Sequence, residues 1–358
     1  MSIYNLEKMF RPESVAIVGA SEKKGSVGFA IMQNIIQGKY SGDIYPINPN
    51  FETIWDRPAC ATLSDINTAI DLAVIAVPIK TVPAIIKECV GIGVSGAVIV
   101  SAWKKEKEAK GIELEAAIRK EAEDAGLRII GPGSQGIINC QLKLNAGLSN
   151  HMSLPGKMAF VSQSGGISTS ILDLSIKEHI GFSYFVSLGS MLDVDFGDII
   201  DYLGGDPYVS SILLYVESFT KCRNFMSAAR AVSRIKPIIV LKAGRSRDGA
   251  LAAYPYTSEL AGEDAVYDAA FKRAGIVRVR TFEELFDCAE LLAKQPRISG
   301  HGIAIITNAG GPGVMASDFL SDYGMEPVKL NPETISKLDE VLPRHWSQSN
   351  PVDISDDA

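Results

Sequence analysis

Cysteine and histidine, the side chains that most often hold metals, are scarce: five and four in 358 residues. The cysteines (Cys60, Cys89, Cys140, Cys222 and Cys288) are widely spaced, with no C-x-x-C pair. That excludes a zinc ribbon or a disulfide frame and reads as small buried residues of a reducing compartment. We expect no metal centre and a cytoplasmic location. No apolar run approaches the length that crosses a bilayer, and Met1 to Arg11 has no apolar stretch behind a basic start. Neither a membrane span nor a signal peptide is expected. Basic clusters interleaved with aromatics are also missing, and the formal charge is −7, from 35 basic and 42 acidic residues. Nucleic acid needs a basic face, so it is not an expected partner.

What is present is the balance of a folded globular chain, 46% hydrophobic and 22% charged, with length enough for two or three cores. Short β-branched runs alternate with amphipathic stretches. Ser14 to Gly19, Asp43 to Asn48, Asp71 to Val77, Ala97 to Ser101 and Leu127 to Ile130 predict strands. Gly25 to Gln37, Ile79 to Val90 and Glu108 to Ala125 predict the helices between them. A second set has strands at Lys157 to Ser162, Phe182 to Leu188, Ser210 to Val216 and Pro237 to Lys242. Its helices are Ile167 to Lys177, Arg223 to Ile235 and Glu283 to Lys294. A third begins with Gly302 to Thr307 and helices near Pro312 to Asp322 and Pro332 to Val341. Such alternation predicts parallel strands with crossover helices, an α/β fold of doubly wound units. We place the boundaries at 1–130, 131–297 and 298–358. The last unit stops at about half the usual domain size of roughly 100–150 residues, so we expect a piece cut from a longer chain.

The first strand runs into a glycine turn, Gly19-Ala20-Ser21, and then through Lys23 and Lys24 to Gly25-Ser26-Val27-Gly28. A strand feeding such a turn and a helix points backbone N–H groups and a positive dipole end at a phosphate. A nicotinamide dinucleotide is the obvious ligand, but the G-x-G-x-x-G spacing is absent. The second strand also ends in Asn48-Pro49, where that site needs an acid for the ribose. The turn therefore argues for another phosphate-bearing cofactor, or for a glycine turn that only packs helix on strand. Ser162-Gln163-Ser164-Gly165-Gly166 and Asn308-Ala309-Gly310-Gly311 repeat the design after later strands. Each reads as an anion cradle or, more plainly, as a capped helix start.

Taken in order, several segments resemble the NDP-forming acyl-CoA synthetases, the family of ADP-forming acetate–CoA ligase and, more distantly, succinyl-CoA ligase. They are Phe10-Arg11-Pro12 to Ser21, Ile47-Asn48-Pro49, Ala76-Val77-Pro78, Gly131-Pro132-Gly133-Ser134-Gln135-Gly136, Ser162 to Gly166, Asn308 to Gly313 and Asn350-Pro351-Val352-Asp353. The resemblance implies a Rossmann-like CoA-binding domain followed by two flavodoxin-like domains, the last incomplete. It implies that coenzyme A or its acyl thioester binds at Gly19, Ala20, Ser21, Lys23, Ser26, Val27, Asn48, Pro49, Val77 and Pro78. Phosphate or acyl phosphate would bind at Ser162, Gln163, Ser164, Gly165, Gly166, Asn308, Gly310 and Gly311. A small carboxylic acid would be the other substrate, ATP or ADP would act through an ATP-grasp domain or subunit outside this sequence, and the whole would be an oligomer.

In that family phosphate passes through a histidine oriented by a glutamate, whose place here is taken by Glu217, and the histidine lies in a Ser-His-Thr-Gly-Ala-Leu-Ala-Gly loop. This sequence reads Pro255-Tyr256-Thr257-Ser258-Glu259-Leu260-Ala261-Gly262, so Tyr256 takes the catalytic position. A phenol with a pKa of about 10 is a poor nucleophile at neutral pH, and the relay is expected to fail. The stretch Gly181 to Leu188 with Asp193, Asp195 and Asp201 also resembles the Pat-type protein lysine acetyltransferases. Those carry a silent synthetase-like region beside a C-terminal acetyltransferase domain. The two expectations are a ligase region and a non-catalytic sensor of acetyl-CoA.

Overall fold

The computed structural model describes residues 3–102, 108–122, 125–249, 251, 263–295, 300 and 302–354. Its chain divides into two compact units, Met1–Gln295 and Pro296–Ala358.

The first unit holds two large sheets. In sheet one, β1 (Ser14–Val18), β2 (Asp43–Ile47), β5 (Leu72–Ile75), β6 (Gly96–Ile99) and β7 (Arg128–Ile130) are all parallel, in the order β2-β1-β5-β6-β7. β1, β5, β6 and β7 are buried at every position, which is why they read as unbroken apolar runs rather than alternations. A short hairpin, β3 (Thr53–Ile54) and β4 (Arg57–Pro58), follows β2. The helices described around this sheet or leading into it are α1 (Leu6–Phe10), α2 (Val27–Gly38), α3 (Val82–Gly91) and α4 (Glu108–Ala122), with 3-10 turns at Leu63–Asp65 and Ile79–Thr81.

Sheet two has β10 (Leu154–Ser162), β11 (Gly181–Ser187), β12 (Ser211–Val216), β13 (Ile238–Lys242) and β14 (Val277–Val279) parallel. An antiparallel pair, β8 (Gly136–Asn139) and β9 (Leu144–Gly147), extends it beyond β11. Its helices are α5 (Gly165–Lys177), α6 (Phe196–Gly205), α7 (Cys222–Val232), α8 (Asp264–Ala274) and α9 (Phe282–Lys294). On the α5 side Phe160, Phe182 and Phe185 pack ring to ring, with centroids 4.8 to 6.4 Å apart. Burying each such ring contributes roughly 1.5–3 kcal/mol before the entropy of ordering it.

Counting only their parallel strands, both sheets have the order 2-1-3-4-5. The order reverses beside the first strand of each, between β1 and β5 and between β10 and β12. Open α/β sheets bind ligands outside the carboxyl ends of the strands at such a reversal.

The hairpin β8–β9 and the helix α6 are not among the predicted elements. β9 reads Leu-Asn-Ala-Gly, too short and too mixed to show a period, although all four residues are buried. α6 buries eight of its ten residues, so it has no polar face to reveal a helical repeat. The strand predicted from Gly302 shortens to β15 (Ile306–Thr307). It pairs in parallel with β16 (Val352–Asp353) in the second unit, beside α10 (Gly310–Asp322) and α11 (Pro332–Asp339). Among the described residues no helix is long and apolar enough to cross a membrane, and no cluster of Cys, His, Asp and Glu could hold a metal.

Candidate functional site: two strand-order reversals

At the first reversal the chain leaves β1 through Gly19, whose φ of +89° favours glycine. A Cβ there would stand 2.8 Å from the Ala76 carbonyl oxygen, at the end of β5. Gly28, in the first turn of α2, is tighter: a Cβ would stand 1.9 Å from the Gly19 carbonyl oxygen, so helix and turn touch backbone to backbone. Asn48, at the end of β2, donates from Nδ2 to the Ala20 carbonyl at 2.8 Å and accepts from the Asn50 N–H at 3.0 Å. The Ser101 hydroxyl donates to the Val77 carbonyl. These bonds gather Gly19, Ala20, Ser21, Asn48, Pro49, Val77 and Pro78 at one sheet edge.

Several side chains expected to meet a ligand also hold the turn. The Ser26 hydroxyl caps α2, accepting from the Phe29 N–H at 3.2 Å, and the Ser21 hydroxyl accepts from the Lys23 N–H at 3.0 Å. Lys23, Lys24, Gly25 and Val27 are exposed, and nothing lies within 4 Å of a Cβ built on Gly25. Trp55, in the β3–β4 turn, has no counterpart among the predicted residues. Its indole N–H donates to the Ser21 carbonyl at 3.4 Å, its backbone N–H donates to Glu22 Oε1 at 2.6 Å, and its ring lies 5.4 Å from that of Phe29. Both Trp55 and Asp56 have positive φ, as two-residue hairpin turns require, yet neither is the usual Gly or Asn. Nothing in the sequence marks this turn, because the positive φ of both residues is set by the tertiary structure.

The joint Gly131 to Gly136 stitches the two sheets. Gly133 and Ser134 donate backbone N–H groups to Ser101 and Ile99 at the end of β6, and Gly131 donates to Leu188 at the end of β11. The buried Ser134 hydroxyl donates to the Ser187 carbonyl at 2.5 Å. Gln135 then lies over the start of α5: a Cβ on Gly165 would stand 2.3 Å from its Cγ.

At the second reversal β10 ends in the fully buried Ser162, and Ser164 caps α5, its hydroxyl accepting from the Ile167 N–H at 3.4 Å. The Ser162 hydroxyl donates to the Ser164 carbonyl and accepts from the Ser164 N–H. Gln163 is the cross-brace. Its Oε1 accepts the backbone N–H groups of Glu217 at 2.6 Å and Ser218 at 3.0 Å, locking the end of β12 to the end of β10. Gly166 is exposed, with nothing within 4 Å of a Cβ. Glu217 is half-buried beside Tyr215, whose hydroxyl is pushed up to about 12 by burial and by the Glu217 charge. Lys242 ends β13 at 4% exposure, its ammonium 4.5 Å from the centre of the Tyr267 ring. Burial pushes that group down to about 8, against the attraction of Asp264 and Glu217.

Tyr256 lies outside the described residues. Of the histidines, His151 precedes β10 and His179 follows α5, both toward the amino edge of sheet two, and His345 is in the second unit; all three are exposed. Within that second unit Asn308, Gly310 and Gly311 form an exposed turn between β15 and α10. A Cβ on Gly310 would meet the Asp353 carboxylate at 3.5 Å, a negative group at a helix N-terminus. A cavity of ≈ 490 Å³ lies elsewhere, lined by Tyr4, Arg128, Leu192, Asp198 and Lys221. Its Arg128 is held by Asp193 at 2.9 Å and Asp198 at 3.3 Å, and its Lys221 by the Asp193 carbonyl, so we place the chemistry at the reversals.

The first reversal suits a phosphate-bearing cofactor such as coenzyme A. It has an open glycine, two exposed lysines and a helix N-terminus, with an amide instead of an acid ending β2. Comparison with known proteins agrees. A model described as a CoA binding domain matches residues 13–139, and one described as a succinyl-CoA ligase like flavodoxin domain matches residues 155–292. The chain is 43% identical over 355 residues to an ADP-forming acetate–CoA ligase of Methanocaldococcus jannaschii, covering 99% of this chain and 50% of that protein. To the alpha subunit of an ADP-forming acetate–CoA ligase I of Pyrococcus furiosus it is 39% identical over 355 residues, covering 98% of this chain and 77% of the subunit. The fold matches a dinucleotide-forming acetyl-coenzyme A synthetase 1 of Ca. Korarchaeum cryptofilum, solved with phosphate and ADP. That match has a TM-score of 0.91 and 35% identity, over 99% of this chain and 76% of the other. The chain thus spans about half the length of the Methanocaldococcus jannaschii ligase and about three quarters of the Pyrococcus furiosus subunit. By these matches along its whole length, the chain belongs to the NDP-forming acyl-CoA synthetases, the family of ADP-forming acetate–CoA ligase.

Proposed function

We propose that this chain is the CoA- and acyl-CoA-binding region of an ADP-forming acyl-CoA synthetase, divided at 1–130, 131–297 and 298–358. The complete protein would interconvert acyl-CoA, ADP and phosphate with acid, ATP and CoA, in the reducing interior its unpaired cysteines suit. Coenzyme A supplies the thiol that carries the acyl group. Around it, the amino end of α2 after Ser26 and the Lys23 ammonium would hold phosphates beside the Gly19–Val27 turn, with Val77 and Pro78 as the opposing wall. Ser162, Ser164, Gly165 and Gly166 would hold inorganic or acyl phosphate at the start of α5, braced by Gln163, and Asn308, Gly310 and Gly311 would form a further anion turn. Glu217 would orient the phosphate-carrying residue, but Tyr256 stands in that place, so the chain would bind its ligands without passing phosphate to an ATP-grasp partner.

The observation that carries this reading is the pair of matched reversals within one compact unit, joined by the Gly131 to Gly136 segment. Calorimetry with CoA and acetyl-CoA tests the binding half: saturable binding of both is expected, and none sinks the proposal. Labelled ATP tests the relay in the full-length protein with its ATP-grasp partner. No acid-labile label is expected on the protein, whereas label on the wild type refutes the silent relay. With the wild type unlabelled, Tyr256→His is tested for gain of label. Binding of acetyl-CoA without any thioester synthesis would favour the sensor role of the Pat-type branch.

A further inference from the structure

Behind the start of α5 lies a small cavity lined by Gln135, Ile138, Asn145, Ser149, Ser168 and Ser187, with room of ≈ 10 Å³ for a water-sized group. That is space for about one heavy atom. Its position follows from the β8–β9 hairpin. Asn145 lies opposite Ile138 in that ladder, and its neighbours Leu144 and Ala146 belong to the core on the other face. Asn145 is 2% exposed, and its Oδ1 has no hydrogen-bond partner among the described residues. The amide cannot flip to cure this. Nδ2 already donates to the carbonyls of Ser149 at 2.9 Å and His151 at 3.3 Å, which fixes the acceptor toward the cavity. A buried acceptor left unpaired costs roughly as much as a lost hydrogen bond, so the site calls for a donor. Gln135 is the wall that the cavity shares with the Gly165 cradle.

We propose that this niche is a subsite for the tail of the acyl group, taking a single hydroxyl that donates to Asn145 Oδ1. The proposal rests on the acyl-phosphate reading of the α5 cradle, beside which the acyl group of the thioester would lie. The niche has room for one atom beyond a two-carbon acyl group, and only the Gln135 side chain is shared between it and the cradle. Glycolyl and propionyl groups differ only in whether that atom is a hydroxyl or a methyl. The hydroxyl pairs with Asn145 Oδ1, while the methyl fills the same space and leaves the acceptor unpaired. The chain would therefore favour short hydroxyacyl thioesters over alkyl ones of equal size.

The test is calorimetric binding of CoA, glycolyl-CoA and propionyl-CoA to the full-length protein. Glycolyl-CoA is expected to bind roughly tenfold tighter than propionyl-CoA, the preference a single buried hydrogen bond confers. In Asn145→Leu the two should bind within about twofold of each other, with CoA itself unaffected. Ser149→Ala keeps the carbonyl that holds Asn145 and alters only the lining; a smaller loss of preference is expected, and it serves if the leucine variant does not fold. Equal binding of the two thioesters by the wild type, with CoA binding intact, overturns the subsite and leaves it a place for water. A preference that survives in Asn145→Leu overturns it equally. Failure to bind CoA at all removes the cofactor reading and this subsite together.

Discussion

The two reversals share a strand order and differ in what closes them. The first is closed by backbone: Gly28 against Gly19, and Gly19 against Ala76, with little side-chain mass between. The second is closed by side chains, with Gln163 bracing two backbone N–H groups and Gln135 lying over Gly165. Gly19 and Gly28 in the first are packing requirements, whereas a Cβ on Gly166 in the second would meet nothing, which leaves that glycine to serve a ligand or a helix start. One sheet edge can thus be built rigidly in two ways, and sequence motifs of similar look need not do similar work.

Seven substitutions would break or sharpen that contrast. The largest effect is expected for Gly28→Ala, which forces a methyl into a carbonyl oxygen and should cost about 3 kcal/mol, the upper end for overpacking. Gly166→Ala should stay within about 0.5 kcal/mol of the wild type. Urea denaturation of both variants measures the difference, and equal losses would dissolve the distinction.

Next comes Lys242, the cation buried at the edge of sheet two. Burial holds its folded pKa at about 8, below the ordinary lysine value of 10.5, so between those values the unfolded chain binds more protons than the folded one. Stability should therefore rise with pH across that window, by on the order of 2 kcal/mol from this group. Melting curves from pH 7 to 10 should show the rise in the wild type, less the contributions of other groups, and a flatter profile in Lys242→Met. An identical profile in the variant would mean that the ammonium is solvated.

Removing the braces should cost less. Gln163→Leu orphans the N–H groups of Glu217 and the buried Ser218, for about 1.5 kcal/mol. Asn48→Leu at the first reversal should cost about half as much, because Asn48 is only half-buried and water can replace it. Ser26→Ala and Ser164→Ala form a matched pair, each losing a helix cap for about 0.5 kcal/mol, the low end for a lost cap. Similar losses are expected, since both hydroxyls make the same bond.

Much of this architecture is legible in the residues. Val15 to Val18 and Ile212 to Val216 announce buried strands because a strand covered on both faces needs apolar side chains throughout. The turns after β1 and β10 announce themselves through glycine and serine, whose backbone freedom and capping hydroxyls have few substitutes. The hairpin β8–β9 stays hidden, because Asn145 is polar yet buried and its partners Ser149 and His151 are backbone carbonyls that no side-chain pattern encodes. Gln163 reads as a phosphate ligand beside its serines; that its oxygen grips Glu217 and Ser218, 54 and 55 residues onward, emerges only once β10 and β12 lie side by side.

From residues alone came the alternation of strands and helices, the glycine turns at strand ends and the expectation that Tyr256 falls where the family carries phosphate. All three are local, set by periodicity, by φ and by the chemistry of one side chain. Tertiary structure alone decided that two sheets repeat one strand order, that glutamine and asparagine brace what glycine opens, and that a lone amide oxygen faces a cavity. Those facts depend on which distant segments become neighbours, and close packing rather than local preference chooses them.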